Sequence, residues 1–240
     1  MASALLLPIF AAQAKHRILT SSYYLQNIPP QLFFDLDNRP ISGILFDITH
    51  AIAAEIDAKI EMLPIPRKRL EQALVSDLVD MNCVANPNWY SSNKLRWSEP
   101  IYHNPDVLIN RLNIKSLEQF EANKSLTLGL TLGYVYPELE SKTQSPSTKV
   151  IRNLSAEQSY LAYRKGKSDA FVSAKAEAAF FNLTPFDSIV PLNNNNIHCV
   201  FSPAVTEHEF KKLTKAIRKL KGNGTFSAIL AKYNFNQITG

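Results

Sequence analysis

The 240-residue chain has little cysteine: two residues, Cys83 and Cys199. Two thiols cannot make a zinc site alone, and no Cys-x-x-Cys or His-Glu-x-x-His spacing adds ligands. No metal or cofactor is therefore expected. The histidines His16, His50, His103, His198 and His208 are scattered. No Gly-x-Ser-x-Gly elbow presents a nucleophile, and no pair of carboxylates has a spacing that forces acid–base work. The chain thus reads as a non-enzyme. Long apolar runs are missing too. Spanning a bilayer takes roughly 20 apolar residues, so no segment of the mature chain crosses a membrane, and it is expected to be soluble. No long low-complexity segment argues for disorder. A net charge of +5 is modest, and no stacking aromatics accompany the lysines in a nucleic-acid motif.

The chain is long enough for one large domain or two lobes with their own cores. Residues 1–14 stand apart. Leu5-Leu6-Leu7-Pro8-Ile9-Phe10-Ala11 is a short apolar core, and Ala12-Gln13-Ala14 is a small-x-small cleavage site. This predicts a signal peptide cut after Ala14 and a periplasmic mature protein. Near the other end, Lys211, Lys212, Lys215, Arg218, Lys219 and Lys221 alternate with Phe210, Leu213, Ile217 and Leu220. That pattern is a surface helix with one basic and one apolar face. Lys59–Leu63 and Leu78–Val84 read as strands separated by a helix over about Arg67 to Ser76, which argues for βαβ units and a largely parallel sheet.

The stretch Gly43-Ile44-Leu45-Phe46-Asp47-Ile48-Thr49-His50-Ala51-Ile52-Ala53-Ala54-Glu55-Ile56 says most. Ile48, Ile52 and Ile56 recur at helical spacing, and Asp47 sits where an N-cap belongs. Upstream lie Ile18-Leu19-Thr20 and Ile28-Pro29-Pro30-Gln31-Leu32-Phe33-Phe34-Asp35. This order resembles the opening of type II periplasmic solute-binding proteins, extracellular solute-binding family 3. Further blocks continue the resemblance: Arg96-Trp97-Ser98-Glu99-Pro100-Ile101-Tyr102, the capping box Ser116-Leu117-Glu118-Gln119, Leu126–Gly133, Asp169-Ala170-Phe171-Val172-Ser173, and Gly224-Thr225-Phe226 running through Lys232-Tyr233. It covers essentially the whole mature chain.

The resemblance implies an α/β, two-lobed fold with a hinged interlobe cleft. Lobe 1 would hold 15–108 and a return segment, 197–240; lobe 2 would hold 109–196. It also implies a monomer that binds a small solute and works with a membrane permease of ABC type or with a sensor kinase, without nucleic acid. Some relatives by fold are dehydratases acting on prephenate or arogenate. Glu177 is the one carboxylate that could serve such chemistry, and it is expected on an exposed helix.

In amino-acid-binding members, an arginine of a T-x-P-x-R loop clamps the ligand carboxylate. The matching loop here, Asn86-Pro87-Asn88-Trp89-Tyr90, has Trp89 in that place. The family's ammonium-binding aspartate corresponds to Ala174. Both halves of the usual clamp are missing, which argues against a standard L-amino acid. Pro66-Arg67-Lys68-Arg69-Leu70 resembles the P-W-x-R-A-L variant; Arg69 matches its cleft arginine and Arg67 replaces the tryptophan. Tyr23, Tyr24, Asn86, Trp89 and Tyr90 fall on lobe 1 loops that line the cleft. Gly133, Tyr134, Ser173 and Lys175 are the lobe 2 counterparts. The resemblance also brings the strands of Cys83 and Cys199 together as antiparallel neighbours, so a disulfide is possible in an exported protein.

Overall fold

The computed structural model describes residues 17–26, 28–123 and 125–235. The expected leader, 1–14, lies outside the described residues. In chain order come β1 (Ile18–Tyr23), β2 (Phe33–Phe34), β3 (Pro40–Ser42), α1 (Ile44–Glu55), β4 (Lys59–Pro64), α2 (Leu70–Val75) and β5 (Met81–Ala85). Then follow β6 (Arg96–Trp97), β7 (Tyr102–His103), β8 (Asp106–Asn110), α3 (Leu117–Ala122), β9 (Leu126–Thr131), α4 (Glu140–Gln144) and β10 (Thr148–Asn153). The rest is α5 (Ala156–Arg164), β11 (Ala170–Ala174), α6 (Lys175–Ala178), β12 (Ser188–Pro191), β13 (Asn196–Phe201), α7 (Glu207–Gly222) and α8 (Thr225–Lys232).

Two sheets organise the molecule. The first runs β4-β1-β5-β13-β6, with β7 also on β13; the second runs β10-β9-β11-β8-β12. Within each, β1 with β4 and β9 with β10 are parallel, while β13 and β8 run antiparallel to their neighbours. Each sheet is thus a βαβ core completed by a strand that crosses from the other side, and the chain changes sheet twice. β8 pairs only within the second sheet, so the first change falls before Asp106 rather than at the expected 108/109 boundary.

Each sheet owns a core. α1, α7 and α8 cover the first through Ile44, Leu45, Ile48, Ile52, Leu213, Ile217, Phe226 and Leu230. Burying each such side chain stabilises by about 1.5–3 kcal/mol. The α1 stripe faces inward, but Asp47 is not the N-cap. Gly43 is, and Asp47 sits in the first turn, where its carboxylate accepts from Lys232 Nζ at 2.7 Å and from the Tyr233 hydroxyl at 2.8 Å. Gly43 is required there: its φ is +124°, and a Cβ would stand 2.4 Å from the Gln31 carbonyl oxygen. The basic helix α7 starts with a full Thr206/Glu209 capping box. No helix among the described residues is long and apolar enough to cross a membrane.

Cys83 and Cys199 form a disulfide between β5 and β13, both cysteines fully buried. The register of these strands shifts between His198 and Val200. Cys199 occupies that irregularity, with its N–H donating to Ser98 Oγ at 2.9 Å.

The two crossings lie side by side. Asn104 N–H donates to the Asn195 carbonyl at 2.9 Å, and the Asp106 carboxylate accepts from Asn193 Nδ2 at 2.9 Å and Asn195 Nδ2 at 3.0 Å.

Candidate functional site

Between the sheets lies a small cavity of about 30 Å³, lined by Tyr24, Gln31, Arg67, Val84, Trp89, Asn104, Asp106, Tyr134, Ala174, Glu177 and Ile197. The strand ends and the crossings meet here, where ligand sites of open α/β sheets form. Larger cavities exist, but they lie elsewhere. One of about 690 Å³ is an open groove on the second sheet, and one of about 440 Å³ is apolar and sits beside β12. Neither is framed by both sheets.

Arg67 is the centre of the site. Pro64 and Pro66 end β4 in extended backbone, and the chain then turns through the 3₁₀ segment Arg67–Arg69. This aims the first arginine inward and leaves the third exposed. The Arg67 guanidinium carbon lies 4.9 Å from the Trp89 ring centroid, 5.4 Å from Tyr24, 5.5 Å from Tyr134 and 5.8 Å from Tyr90. Each contact falls within cation–π range. Nη1 also donates to the Tyr24 hydroxyl at 3.2 Å. Tyr134 comes from the second sheet and the other rings from the first, so the cage spans the cleft.

The opposite wall is acidic. Glu177, on α6, is 9% exposed, and its Oε2 accepts from Ser173 Oγ at 3.3 Å. Burial, then repulsion from Asp106, pushes its carboxyl up to about 8, against the Ser173 hydroxyl bond. Asp106 is pushed up to about 6 by burial, with the Asn193 bond pulling it back, Glu138 adding repulsion and Arg67 attraction.

Several expected site residues go elsewhere. Arg69, expected in the cleft, is exposed, while Arg67 at the head of the same turn faces the rings. Tyr23 points into the first core, 5.8 Å from the Phe34 ring; alternation along β1 sends neighbouring Tyr24 the other way. Lys175 is exposed and borders the apolar pocket beside β12. Gly133 faces Lys68 and supplies the φ of +85° that swings Tyr134 inward. Asn86 caps the Pro87–Trp89 turn through Asn88 N–H and donates from Nδ2 to the Asn196 carbonyl at 3.1 Å, so it positions Trp89. Tyr90 closes the cage, and Ser173 acts on Glu177. Glu177, expected on an exposed helix, is buried because α6 has only four residues and lies against the cavity. Sequence reading passed over Gln31, Asn104 and Asp106. Asn104-Pro105-Asp106, polar residues around a proline beside an apolar strand, was the available signal.

Residues 23–237 match the bacterial extracellular solute-binding proteins, family 3. The chain belongs to that family. No curated protein matches it in sequence. Among solved structures, it superposes on an ancestral arginine-binding protein bound to glutamine at a TM-score of 0.71 and 21% identity, covering 92% of this chain and 99% of that one. An ancestral amino acid-binding protein, a precursor of cyclohexadienyl dehydratase, gives a TM-score of 0.74 at 18% identity, with 91% and 95% covered. An arginine-specific periplasmic binding protein of Salmonella typhimurium gives 0.70 at 14% identity, with 92% and 100% covered. These likenesses show the two-lobed fold. As a family 3 solute-binding protein, the chain binds a small-molecule ligand, and the cavity framed by both sheets is the candidate place.

Proposed function

We propose that this family 3 protein binds, outside the cytoplasm, a small solute with a flat or apolar body and an acidic group, for ABC-type uptake or for sensing. The observation that carries the reading is Arg67, caged by rings from both lobes over the cavity. A guanidinium has five donors. Arg67 spends one on Tyr24, leaving a fork suited to a carboxylate. Trp89 and the tyrosines offer faces for a planar body. Trp89 and Ala174 in place of the usual clamp residues support a solute other than a standard L-amino acid held in the ordinary way.

A thermal-shift screen tests this, since a ligand at a hundredfold excess over Kd stabilises by roughly 2.7 kcal/mol. Planar acids should raise the melting temperature and lose that effect in Arg67→Ala. Micromolar calorimetric binding of several common amino acids, with carboxylate and ammonium both required, overturns it.

A dehydratase reading rests on Glu177, a buried carboxyl on the cavity wall that stays protonated near neutral pH and so has a proton to give. We place it second, because the carboxylate beside Glu177, Asp106, is already held by the Asn193 and Asn195 amides. Turnover of prephenate or arogenate by the purified protein decides for it.

A further inference from the structure

We propose that the free edge of β10 is a docking site for an extended segment of another protein, one with acidic side chains at alternate positions. Among the described residues, β10 ends its sheet and pairs only with β9. The Asn153 carbonyl accepts from Leu132 N–H at 2.7 Å, so Asn153 turns its backbone groups toward the β9 side. Alternation along the strand then turns those of Arg152 and Val150 outward, to the free edge. Six residues without a proline or a register shift make a long template for one more strand. The opposite edge of this sheet is shorter: β12 has four residues and ends in Pro191.

This edge has a groove on each face of the sheet. Val150 and Arg152 line the open groove of about 690 Å³. Ile151 and Asn153 line a second, of about 340 Å³, against Leu161 and Ala162 of α5. An added strand would drop its side chains into the two grooves in turn. In this mode main-chain hydrogen bonds give affinity and the pockets choose the sequence. The grooves differ in charge. Lys165 and Lys167 line the α5 groove, no carboxylate does, and Lys149 shares the face of Ile151 by alternation. These three lysines are exposed, and none makes an ion pair among the described residues. The larger groove is apolar through Leu130, Val135, Pro137 and Val150, with Glu140 offset by Arg152.

Charge decides the occupant. A second copy of the chain would bring its own Lys149 to the same edge, and like charges opposed on paired strands destabilise. Lysine on an edge guards against such self-pairing. The same lysines attract a strand whose side chains on that face are glutamate or aspartate, while its apolar residues enter the larger groove.

The test titrates isotope-labelled protein with a capped hexapeptide alternating glutamate and valine. Its controls are a lysine–valine counterpart, the same residues as a glutamate block and a valine block, and two forms N-methylated at the glutamates or at the valines. The alternating acidic peptide should bind at least tenfold more tightly than the lysine and block peptides, and should shift the amides of Val150 and Arg152 most. One N-methylated form should lose tenfold or more and the other stay within threefold, because only alternate amides of an added strand face its neighbour. Lys149→Glu with Lys167→Glu should reject the acidic peptide and admit the lysine one. The wild-type panel decides even should that variant fail to fold.

Equal binding of the block peptide, equal effects of the two N-methylations, shifts centred outside 148–153, or silence of the whole panel each overturns the proposal. Loss of the acidic peptide in Arg67→Ala but not in the lysine variant places it in the solute cavity instead. Sedimentation showing a dimer joined through β10 makes a second copy the occupant. Either result also overturns it.

Discussion

Reduction of the Cys83–Cys199 bond should weaken the fold substantially without rearranging it. The bridge joins residues 116 apart in sequence. In the chain-entropy view, closing a loop of that length removes about 5 kcal/mol of freedom from the unfolded chain, and removing a native bridge typically costs about 2–5 kcal/mol. A chain of this size moves its midpoint by about 2–4 °C per kcal/mol. The expected fall on reduction, or in the double variant Cys83→Ala with Cys199→Ala, is therefore on the order of 10 °C. The loop contains the whole second sheet, so the loss should be felt across the protein as one transition. Both cysteines are fully buried, so reduction needs partial unfolding or a denaturant. Scanning calorimetry with and without reductant reads the shift, and intact mass after alkylation of unfolded, unreduced protein reads the bond. Two freely alkylated thiols, or a midpoint indifferent to reduction, would refute the reasoning.

Three further outcomes follow from the same geometry. Arg67→Ala should cost solute affinity about tenfold to hundredfold, as expected for losing a hydrogen bond to a charged group of about 1.5–3 kcal/mol, while exposed Arg69→Ala should change calorimetric affinity little. Glu177 and Asp106 hold protons more tightly folded than unfolded. Their contribution to the stability of the unbound protein is thus fully present below their ordinary values of 4.5 and 3.8 and is lost as pH rises through about 8 and about 6. Melting scans from pH 5 to 8.5 should show Glu177→Gln gaining on wild type as pH rises; parallel curves would refute the assignment. Gly43→Ala sets a Cβ 2.4 Å from a backbone oxygen at positive φ, so it should lower the midpoint by more than 5 °C, and a midpoint within a degree of wild type would contradict the packing.

Much of the fold was legible because periodic apolar residues report burial directly. Ile48 and Ile52 in α1, and Leu213 and Ile217 in α7, needed only spacing to be placed inward. The order of blocks carried the rest, including the juxtaposition of Cys83 and Cys199. The site was harder to read. Arg67 and Arg69 are two residues apart on one tight turn, and which of them enters the cleft is set by how that turn is oriented against the rings, which spacing alone does not report. Tyr23 and Tyr24 are separated only by strand alternation. Glu177 looks like a solvated helix residue by composition. It is buried because its helix is a single short turn pressed between the sheets, and that is a tertiary fact with no local signature.

Asp106 is both a wall of the cavity and the group that ties the crossings together through Asn193 and Asn195. A carboxylate accepts such bonds roughly twice as strongly as a neutral acid. Burial nevertheless outweighs those bonds and lifts the carboxyl to about 6, so parting the lobes, which would return it to water, favours its ionised form. A mildly acidic medium therefore holds the joint together before any solute arrives, and a neutral one loosens it.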